Sequence, residues 1–384
     1  MRYHINHDDS EGKPYIDYSM IFVVIFLVCF GLIMVYSTSS YEASMSTITN
    51  NDPAYYLKKQ VTASIIGFIM MALASVVPYH FYEKLYLVAY FASAGLIFLV
   101  LTPLGYEANG ARRWLKIGFS IQPAEIAKLA MIIFIATFIC KVKDAVNTWK
   151  GAGIVMLFPG VISLLVWKIT ENMSSALIIL GISFCMLFVA SRDYKRFAYV
   201  AAGGIAFLAL MVFVIQKVAG SGKFGFRGAR ILAWLDPEAY ASGTGYQTIQ
   251  ALYAIGSGGI FGKGLGQSIQ KQGFLPEAQN DMIFSIICEE LGLFGGICIM
   301  LLFFILLWRM MLIATNAKDL FGALLVVGVM SHIAIQVVLN IAVVTNTIPN
   351  TGISLPFISY GGSSIMFLLI EIGIVINVAR KIKI

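Results

Sequence analysis

The chain has 384 residues, of which 59% are hydrophobic and only 12% carry a charge. Soluble proteins have about 25% charged residues, and half that share cannot cover the surface of a globule of this size. The composition therefore excludes a soluble enzyme, a disordered chain and a nucleic-acid-binding domain. It indicates a membrane protein with many spans, and the net charge of +7 fits Lys and Arg in cytoplasmic loops rather than a nucleic-acid partner.

Apolar runs of helical length follow one another along the chain. In lipid only helices and closed barrels pair all their backbone groups, and these runs are longer than barrel strands. Each helical span needs about 20 residues. The sequence therefore predicts an all-α polytopic membrane protein with about ten transmembrane helices in a single integral membrane domain, 1–384. The predicted spans are 18–37, 61–78, 85–104, 123–140, 151–168, 172–190, 197–218, 283–308, 321–345 and 357–379.

The distribution of basic residues predicts the orientation of the spans. With both termini inside, the inner segments carry fourteen Lys and Arg residues and the short outer loops carry six. Because cytoplasmic loops are rich in Lys and Arg, both termini are predicted to be cytoplasmic.

Residues 219–282 then form one long extracellular loop between the seventh and eighth spans. Loops of this length are typically functional or disordered, and the aromatic residues of this one indicate that it folds. Within it, apolar residues recur at helical spacing from Tyr246 to Ile255 and stop at Gly256. This pattern predicts a short amphipathic helix that lies on the outer face of the membrane.

Acidic residues in or beside the spans are candidate site residues, because charge is costly in lipid. Asp281 opens the eighth span shortly after Glu277, and a partly desolvated carboxylate there would have a raised pKa suited to general-base catalysis. The alternative is that Asp281 is the N-cap of the helix. Glu289 lies deeper on roughly the same helix face, and it is either a substrate-binding residue or a buried hydrogen-bonding partner.

The fourth span contains one acidic and one basic residue. Glu125 and Lys128 are three positions apart and therefore share a helix face. Two compatible interpretations follow, namely an internal salt bridge that orients the helix and a polar wall of a substrate cavity. We count both residues, together with Glu277, among the candidates for substrate binding.

Three arginines of the predicted outer loops, Arg112, Arg113 and Arg230, are candidates for binding phosphate. Arginine can hold phosphate or pyrophosphate through two hydrogen bonds. The alternative is contact with the membrane interface or with lipid headgroups. The five cysteines and four histidines are scattered, so they predict neither a disulfide framework nor a metal site.

The last predicted span is preceded by a segment that breaks the helix. Residues 349–364 contain two prolines and a Gly pair, and the small residues at 361–364 would let another helix approach closely. The segment is predicted to be a packed re-entrant turn that lines a cavity. Ser359 and Ser363 are its candidates for substrate binding.

Three long motifs in this order resemble the SEDS family (shape, elongation, division and sporulation), whose members include RodA and FtsW. They are GARRWLKIGFSIQPAEIAKL at 110–129, the segment 245–296 around FLPEAQNDMIF, and LPFISYGGSS at 355–364. DPAYYLKKQ at 52–60 and the Arg112-Arg113 pair are more similar to the FtsW branch than to the RodA branch. The chain departs from the family pattern at Glu171, Gln279, Asn280, Met282 and Asn350.

The resemblance implies a peptidoglycan glycosyltransferase in the cytoplasmic (inner) membrane that polymerises lipid II, with its active site facing outside. The family's essential aspartate corresponds to Asp281. The implied partners are a class B penicillin-binding protein, which is a transpeptidase, other cell-division or elongation proteins, and membrane lipids. No organic cofactor is expected, and a divalent cation, Mg²⁺ or Mn²⁺, would share with the arginines the role of holding pyrophosphate. The alternatives are a lipid II flippase and a non-catalytic scaffold for the penicillin-binding protein.

Overall fold

The computed structural model describes residues 15–108, 111–117, 119–218 and 226–382. The described part forms thirteen α-helices and one small sheet. The helices are α1 (Tyr18–Met45), α2 (Tyr55–Val76), α3 (His80–Lys84), α4 (Tyr86–Leu99), α5 (Pro123–Val142), α6 (Trp149–Ile169), α7 (Met173–Ala190), α8 (Lys195–Val218), α9 (Phe226–Leu235), α10 (Tyr246–Gly258), α11 (Ile283–Thr315), α12 (Leu320–Val344) and α13 (Gly362–Ala379). The strands are β1 (Gly105–Ala108), β2 (Ala111–Ile117) and β3 (Phe119–Ile121).

Each of the ten predicted spans coincides with a helix, and the helical membrane fold is confirmed. Eight of these helices are long and apolar enough to cross a membrane by length and composition, namely α1, α2, α6, α7, α8, α11, α12 and α13. Of the other two, α4 has 14 residues and α5 has 20 residues that include Glu125, Lys128 and Lys141. The last helix begins at Gly362 rather than at 357, because Pro356 and the positive φ of Phe357 (63°) interrupt it.

The chain departs from a purely helical fold between α4 and α5. There β1, β2 and β3 form an antiparallel sheet in which Tyr106 pairs with Trp114 and Leu115 with Ile121. Successive side chains of a strand point to opposite faces. Arg113 and the buried Leu115 therefore share one face of β2, while Arg112 lies on the other, exposed face.

Helices α12 and α13 form the buried centre of the bundle. Helix α13 packs along α2, and α12 packs against α5, α7 and α11. The contact between α13 and α2 is close because it is made through glycine. A Cβ atom at Gly373 would lie 2.4 Å from the carbonyl oxygen of Met71. Small residues permit this approach between membrane helices, where packing rather than water exclusion drives association.

The predicted eighth span is a broken helix. Gly292 has φ 71° and ψ −172°, so α11 consists of two helical parts. Backbone groups at the break bind the chain that follows α10: the N–H of Lys263 donates to Glu289 O (3.0 Å), and the N–H of Leu293 donates to Gly259 O (2.9 Å). The break is stable because these bonds satisfy groups that lipid would leave unpaired.

The predicted long loop is folded over its described part, 226–282, while 219–225 lie outside the described residues. The predicted helix that stops at Gly256 is α10, which ends two residues later at Gly258, so the helix itself is confirmed. Helix α10 packs against α11 through the small residues Ala251, Ala254 and Gly258. The loop also contains α9, which the sequence analysis did not predict.

Candidate functional site

Asp281 lies in the turn immediately before α11, where two loops meet. The side-chain amide of Asn340 donates to the backbone oxygen of Asp281 and to that of Ile353, both at 2.7 Å. A Cβ atom added to Gly352 would lie 3.6 Å from Asp281 Oδ2. Thus Asn340 on α12 attaches the Asp281 backbone to the segment before α13, and Gly352 leaves room beside the carboxylate.

The Asp281 carboxylate does not cap the helix. The N-cap of α11 is Met282, and no side chain accepts a capping hydrogen bond there. Asp281 Oδ1 is buried and has no hydrogen-bond partner within the described part of the chain. The alternative that Asp281 is a helix cap is therefore wrong. A buried carboxylate oxygen without a partner is energetically costly and is a feature of functional sites.

Burial and, to a smaller extent, the nearby Glu277 carboxylate raise the pKa of Asp281 to about 7, although the residue's own backbone N–H and Arg230 act in the opposite direction. Such a group exchanges its proton near neutral pH. It has the acid strength that a general base needs under ordinary conditions. Glu277 has a positive φ (56°), and its carboxylate accepts a hydrogen bond from the side chain of Asn280.

Of the three predicted arginines, Arg230 interacts with this carboxylate and Arg113 interacts with Arg230. Arg230 on α9 donates to Asn350 O (3.2 Å), and its charge interacts with those of Asp281 and Arg113. Arg113 on β2 donates to Thr170 O and to Glu171 O, both at 3.2 Å. Arg230 therefore connects Asp281 with Arg113, and the three residues come from distant parts of the sequence.

Arg112 is directed elsewhere. Its guanidinium donates to Gly105 O (2.9 and 3.1 Å) and to Thr102 O, so it stabilises the turn and strand that precede β2. The sequence predicts both Arg112 and Arg113 as phosphate ligands. The structure separates them, because consecutive residues of a strand point to opposite faces.

The segment before α13 is held over Asp281 by polar contacts with several helices. Trp234 Nε1 on α9 donates to Asn346 O (3.0 Å), and Asn350 Nδ2 donates to Gln247 Oε1 on α10 (2.8 Å). Ser174 on α7 donates to Thr351 O. Sequence reasoning missed Gln247 as a site residue. Its polarity within the apolar helix α10 was the available signal.

The Glu289 carboxylate is hydrogen-bonded to the segment that follows α10. It accepts hydrogen bonds from Lys263 Nζ (2.7 Å), from the hydroxyl of Ser268 and from the N–H of Ile269 (3.1 Å). The adjacent Glu290 binds Lys271 and Ser37. The alternative interpretation, that Glu289 is a buried hydrogen-bonding partner, describes what the structure contains. These bonds attach the loop to α11 beside its break.

The other candidates also have structural contacts. Glu125 and Lys128 form a buried salt bridge of 2.8 Å, while Glu125 Oε2 is buried without a hydrogen-bond partner in the described residues. The hydroxyl of Ser359 accepts from the N–H of Leu355 (2.8 Å) and closes the turn. Ser363 is buried, and its hydroxyl has no hydrogen-bond partner among the residues described. The packed non-helical segment predicted before α13 is therefore present.

The fold and the site define a polytopic membrane protein with a buried acid–arginine site at one end of its helix bundle. Residues 17–384 match the family model FTSW_RODA_SPOVE, cell cycle protein, and the chain belongs to this family. This membership confirms the resemblance predicted from the three motifs.

Named relatives span almost the whole chain. Stage V sporulation protein E of Bacillus subtilis is 39% identical over 370 residues, covering 95% of this chain and 97% of that protein. The probable peptidoglycan glycosyltransferase FtsW of Trichlorobacter lovleyi is 36% identical, covering 96% and 94%. The FtsW of Bacillus subtilis, with the same description, is also 36% identical, covering 96% and 91%.

Solved structures share the fold. A chain from work on the structural coordination of polymerization and crosslinking by a peptidoglycan synthase complex has a TM-score of 0.75 at 26% identity, covering 96% of this chain and 98% of that one. The crystal structure of the Thermus thermophilus rod shape determining protein RodA has a TM-score of 0.65 at 24% identity, covering 96% and 97%. At this identity the second likeness shows the fold alone.

Proposed function

We propose that this protein is a peptidoglycan glycosyltransferase that polymerises lipid II into glycan strands. The observation that carries the proposal is the buried Asp281 carboxylate, whose Oδ1 has no hydrogen-bond partner in the described chain, near Arg230 and its neighbour Arg113. An acid–base group next to a site for a charged leaving group is what a glycosyl transfer from a pyrophosphate requires. The names of the relatives support the same activity.

The mechanism is a single displacement. Lipid II carries its sugar in α linkage to pyrophosphate, and the new bond is β-1,4, so one inversion suffices. Asp281 accepts the proton of the attacking 4-hydroxyl as its oxygen bonds to the anomeric carbon. The bond from that carbon to the pyrophosphate oxygen breaks in the same step. Arg113 and Arg230 bind the departing pyrophosphate and stabilise its charge.

A divalent cation, Mg²⁺ or Mn²⁺, is part of the proposal in a supporting role. No group of three His, Cys, Asp or Glu side chains that could hold a metal occurs among the described residues. The described residues therefore offer no metal site of their own, and the substrate's own phosphate oxygens would be the main ligands of the cation. When bound, the cation would neutralise charge on the leaving pyrophosphate.

We place the Asp281 end of the bundle at the outer face of the cytoplasmic membrane, in line with the excess of Lys and Arg on the opposite side. The lipid tail of the substrate would lie between helices, which explains why the enzyme is built of membrane spans. The proposed partner is a class B penicillin-binding protein that crosslinks the strands. The complex among the structural relatives supports this pairing.

The deciding experiment is a direct assay of glycan polymerisation. The protein is purified with its class B partner, in which the transpeptidase serine is mutated, and is given labelled lipid II with Mg²⁺ or Mn²⁺. A ladder of glycan strands on a gel is the expected result. If no polymer forms while the partner is bound, the proposal is wrong, and lipid II flipping in liposomes becomes the next measurement.

The arginines provide a matched pair of variants. Arg113→Gln and Arg230→Gln are each expected to lower kcat/KM by about 10- to 100-fold, since hydrogen bonds from a charged donor contribute about 1.5–3 kcal/mol. Arg112→Gln removes the same charge from the neighbouring residue and is expected to change kcat/KM by less than about threefold. An equal loss in Arg112→Gln and Arg113→Gln would contradict the assigned pyrophosphate site.

The pH profile tests the assigned base. Asp281 accepts a proton only when it is ionised, so kcat/KM should rise with pH through about 7 and level off above it. Glu277→Gln removes a negative charge that raises the pKa of Asp281. The rising limb should therefore move to lower pH in this variant. A limb that stays at the wild-type pH would show that another group limits the rate.

A further inference from the structure

A cluster of four tyrosines contacts the segment that carries Asp281. The tyrosine cluster consists of Tyr55 and Tyr56 at the start of α2, Tyr106 on β1, and Tyr360 in the turn before α13. The rings of Tyr56 and Tyr360 meet edge to face with centroids 5.0 Å apart, and those of Tyr55 and Tyr56 with centroids 5.4 Å apart. The phenol of Tyr106 lies within electrostatic range of that of Tyr360.

Carboxylates and an amide connect this cluster to the proposed base. The hydroxyl of Tyr56 lies beside the Glu42 carboxylate and within electrostatic range of Glu277. Gln279, two residues before Asp281, donates from Nε2 to Glu42 Oε2 (2.9 Å). The N–H of Tyr360 donates to the backbone oxygen of Gln279 (2.9 Å). The cluster is therefore attached to the segment that carries the base.

The charged groups near Asp281 form two sets. Arg230 interacts with Asp281 and with Arg113, whereas Glu42 and Glu277 lie near the hydroxyl of Tyr56. Carboxylates repel phosphate, so the surroundings of Tyr56 are unsuited to a pyrophosphate. Half-buried aromatic rings with hydroxyl and carboxylate groups suit an uncharged ligand that has C–H faces to stack and many hydroxyls to bind. A saccharide has this chemistry.

The cluster is also more polar than core packing requires. Tyr55, Tyr56 and Tyr360 are each half-buried, and Lys59 lies over the ring of Tyr55 at 4.2 Å. Burial and the neighbouring phenols raise the pKa of Tyr360 to about 12, so its hydroxyl remains a hydrogen-bond donor. Phenylalanine would fill the same volume in an apolar core without placing hydroxyls beside carboxylates.

We propose that the tyrosine cluster, with Glu42, is a saccharide subsite that binds the sugar bearing the attacking hydroxyl, while the arginines bind the pyrophosphate of the other substrate. This assignment rests on the proposed function and deepens it, because it gives the two substrates of the transfer separate sets of residues near Asp281. The attacking hydroxyl would then reach Asp281 past Glu277 and Gln279, which neighbour Tyr56 and Glu42.

Binding of an uncharged probe tests the subsite without relying on activity. The probe is a lipid-linked disaccharide that has the terminal sugar of lipid II but no pyrophosphate, and the protein is held in nanodiscs in complex with its partner. Tyr56→Ala and Tyr360→Ala are expected to weaken binding of this probe by about five- to tenfold, in the range of other aromatic contacts. Arg113→Gln and Arg230→Gln should leave it unchanged.

Control variants separate a binding role from a folding role. Tyr18→Ala removes an exposed tyrosine from the opposite end of α1, away from Glu42, and should not alter binding. Tyr56→Phe keeps the ring and should retain most of the affinity even if Tyr56→Ala unfolds. Absence of probe binding to the wild type, or equal binding by wild type and both alanine variants, would overturn the subsite.

The polymerisation assay, run on the same preparations, keeps the two proposals distinguishable. Polymerisation without probe binding would remove the saccharide subsite and leave the glycosyltransferase. Probe binding that depends on Tyr56, in a protein that forms no polymer, would remove the glycosyltransferase and leave a lipid-linked saccharide site.

Discussion

Asp281→Asn is expected to lower kcat by about 10²- to 10⁴-fold, or more, while the protein remains folded. Asparagine has nearly the same shape as aspartate but cannot accept the proton of the attacking hydroxyl. The contact that holds the segment in place would persist, because Asn340 donates to the backbone oxygen of residue 281 and not to its side chain. The loss should therefore appear in the chemical step.

The measurement is the rate of polymer formation by wild type and variant at matched expression and matched thermal stability. Arg112→Gln is the control, since Arg112 bonds to the backbone oxygens of Gly105 and Thr102 and its replacement leaves the assigned base, so this variant should retain activity. Polymer from Asp281→Asn at the wild-type rate would remove Asp281 as the base. The next candidates would then be Glu277 and Glu289.

Asp281 could be identified from the sequence because charge is costly in or beside a membrane span. A carboxylate at the start of an apolar run is either a helix cap or a desolvated acid, and local sequence cannot decide between the two. The decision depends on where α11 begins and on whether Oδ1 finds a partner, and both depend on tertiary contacts with Asn340 and Gly352. Asp281 was therefore predictable as a candidate residue. Whether it caps the helix or is a buried acid was not.

The sequence also could not decide between Arg112 and Arg113. Both residues have the chemistry to bind phosphate, and they differ only because successive side chains of β2 point to opposite faces of the sheet. That strand was not predicted, because its partners β1 and β3 are only four and three residues long and give no periodic signal. Helices longer than 17 residues, by contrast, are visible as apolar runs because lipid imposes their length.

The tyrosine cluster and the partners of Glu289 could not be predicted from spacing. Tyr56, Tyr106 and Tyr360 come from separate segments, and Lys263 reaches Glu289 only because the chain after α10 folds back onto the break in α11. The break itself had one signal, the glycine at 292 within a long apolar run. Glycine inside a helix is common in membranes, so that signal alone did not predict a break.

Gly292→Ala is expected to destabilise the folded protein by about 2–5 kcal/mol, because it combines backbone strain with a steric clash. The φ of 71° lies in the left-handed region that a side chain disfavours. A Cβ atom there would lie 2.3 Å from Ile260 O and 2.4 Å from the nitrogen of Gly262, and both are backbone atoms that cannot rotate away. The measurement is the midpoint of thermal unfolding in one detergent.

Gly256→Ala is the matched control, and it is not expected to destabilise the protein. Gly256 lies within α10, and a Cβ atom there would meet nothing within 4 Å. Alanine favours a helix over glycine by about 1 kcal/mol, so this variant should be as stable as the wild type or slightly more stable. If Gly292→Ala unfolds at the wild-type temperature, the break in α11 and its hydrogen bonds to the preceding loop do not support the fold. The attachment of Glu289 and Glu290 to that loop would then need another explanation.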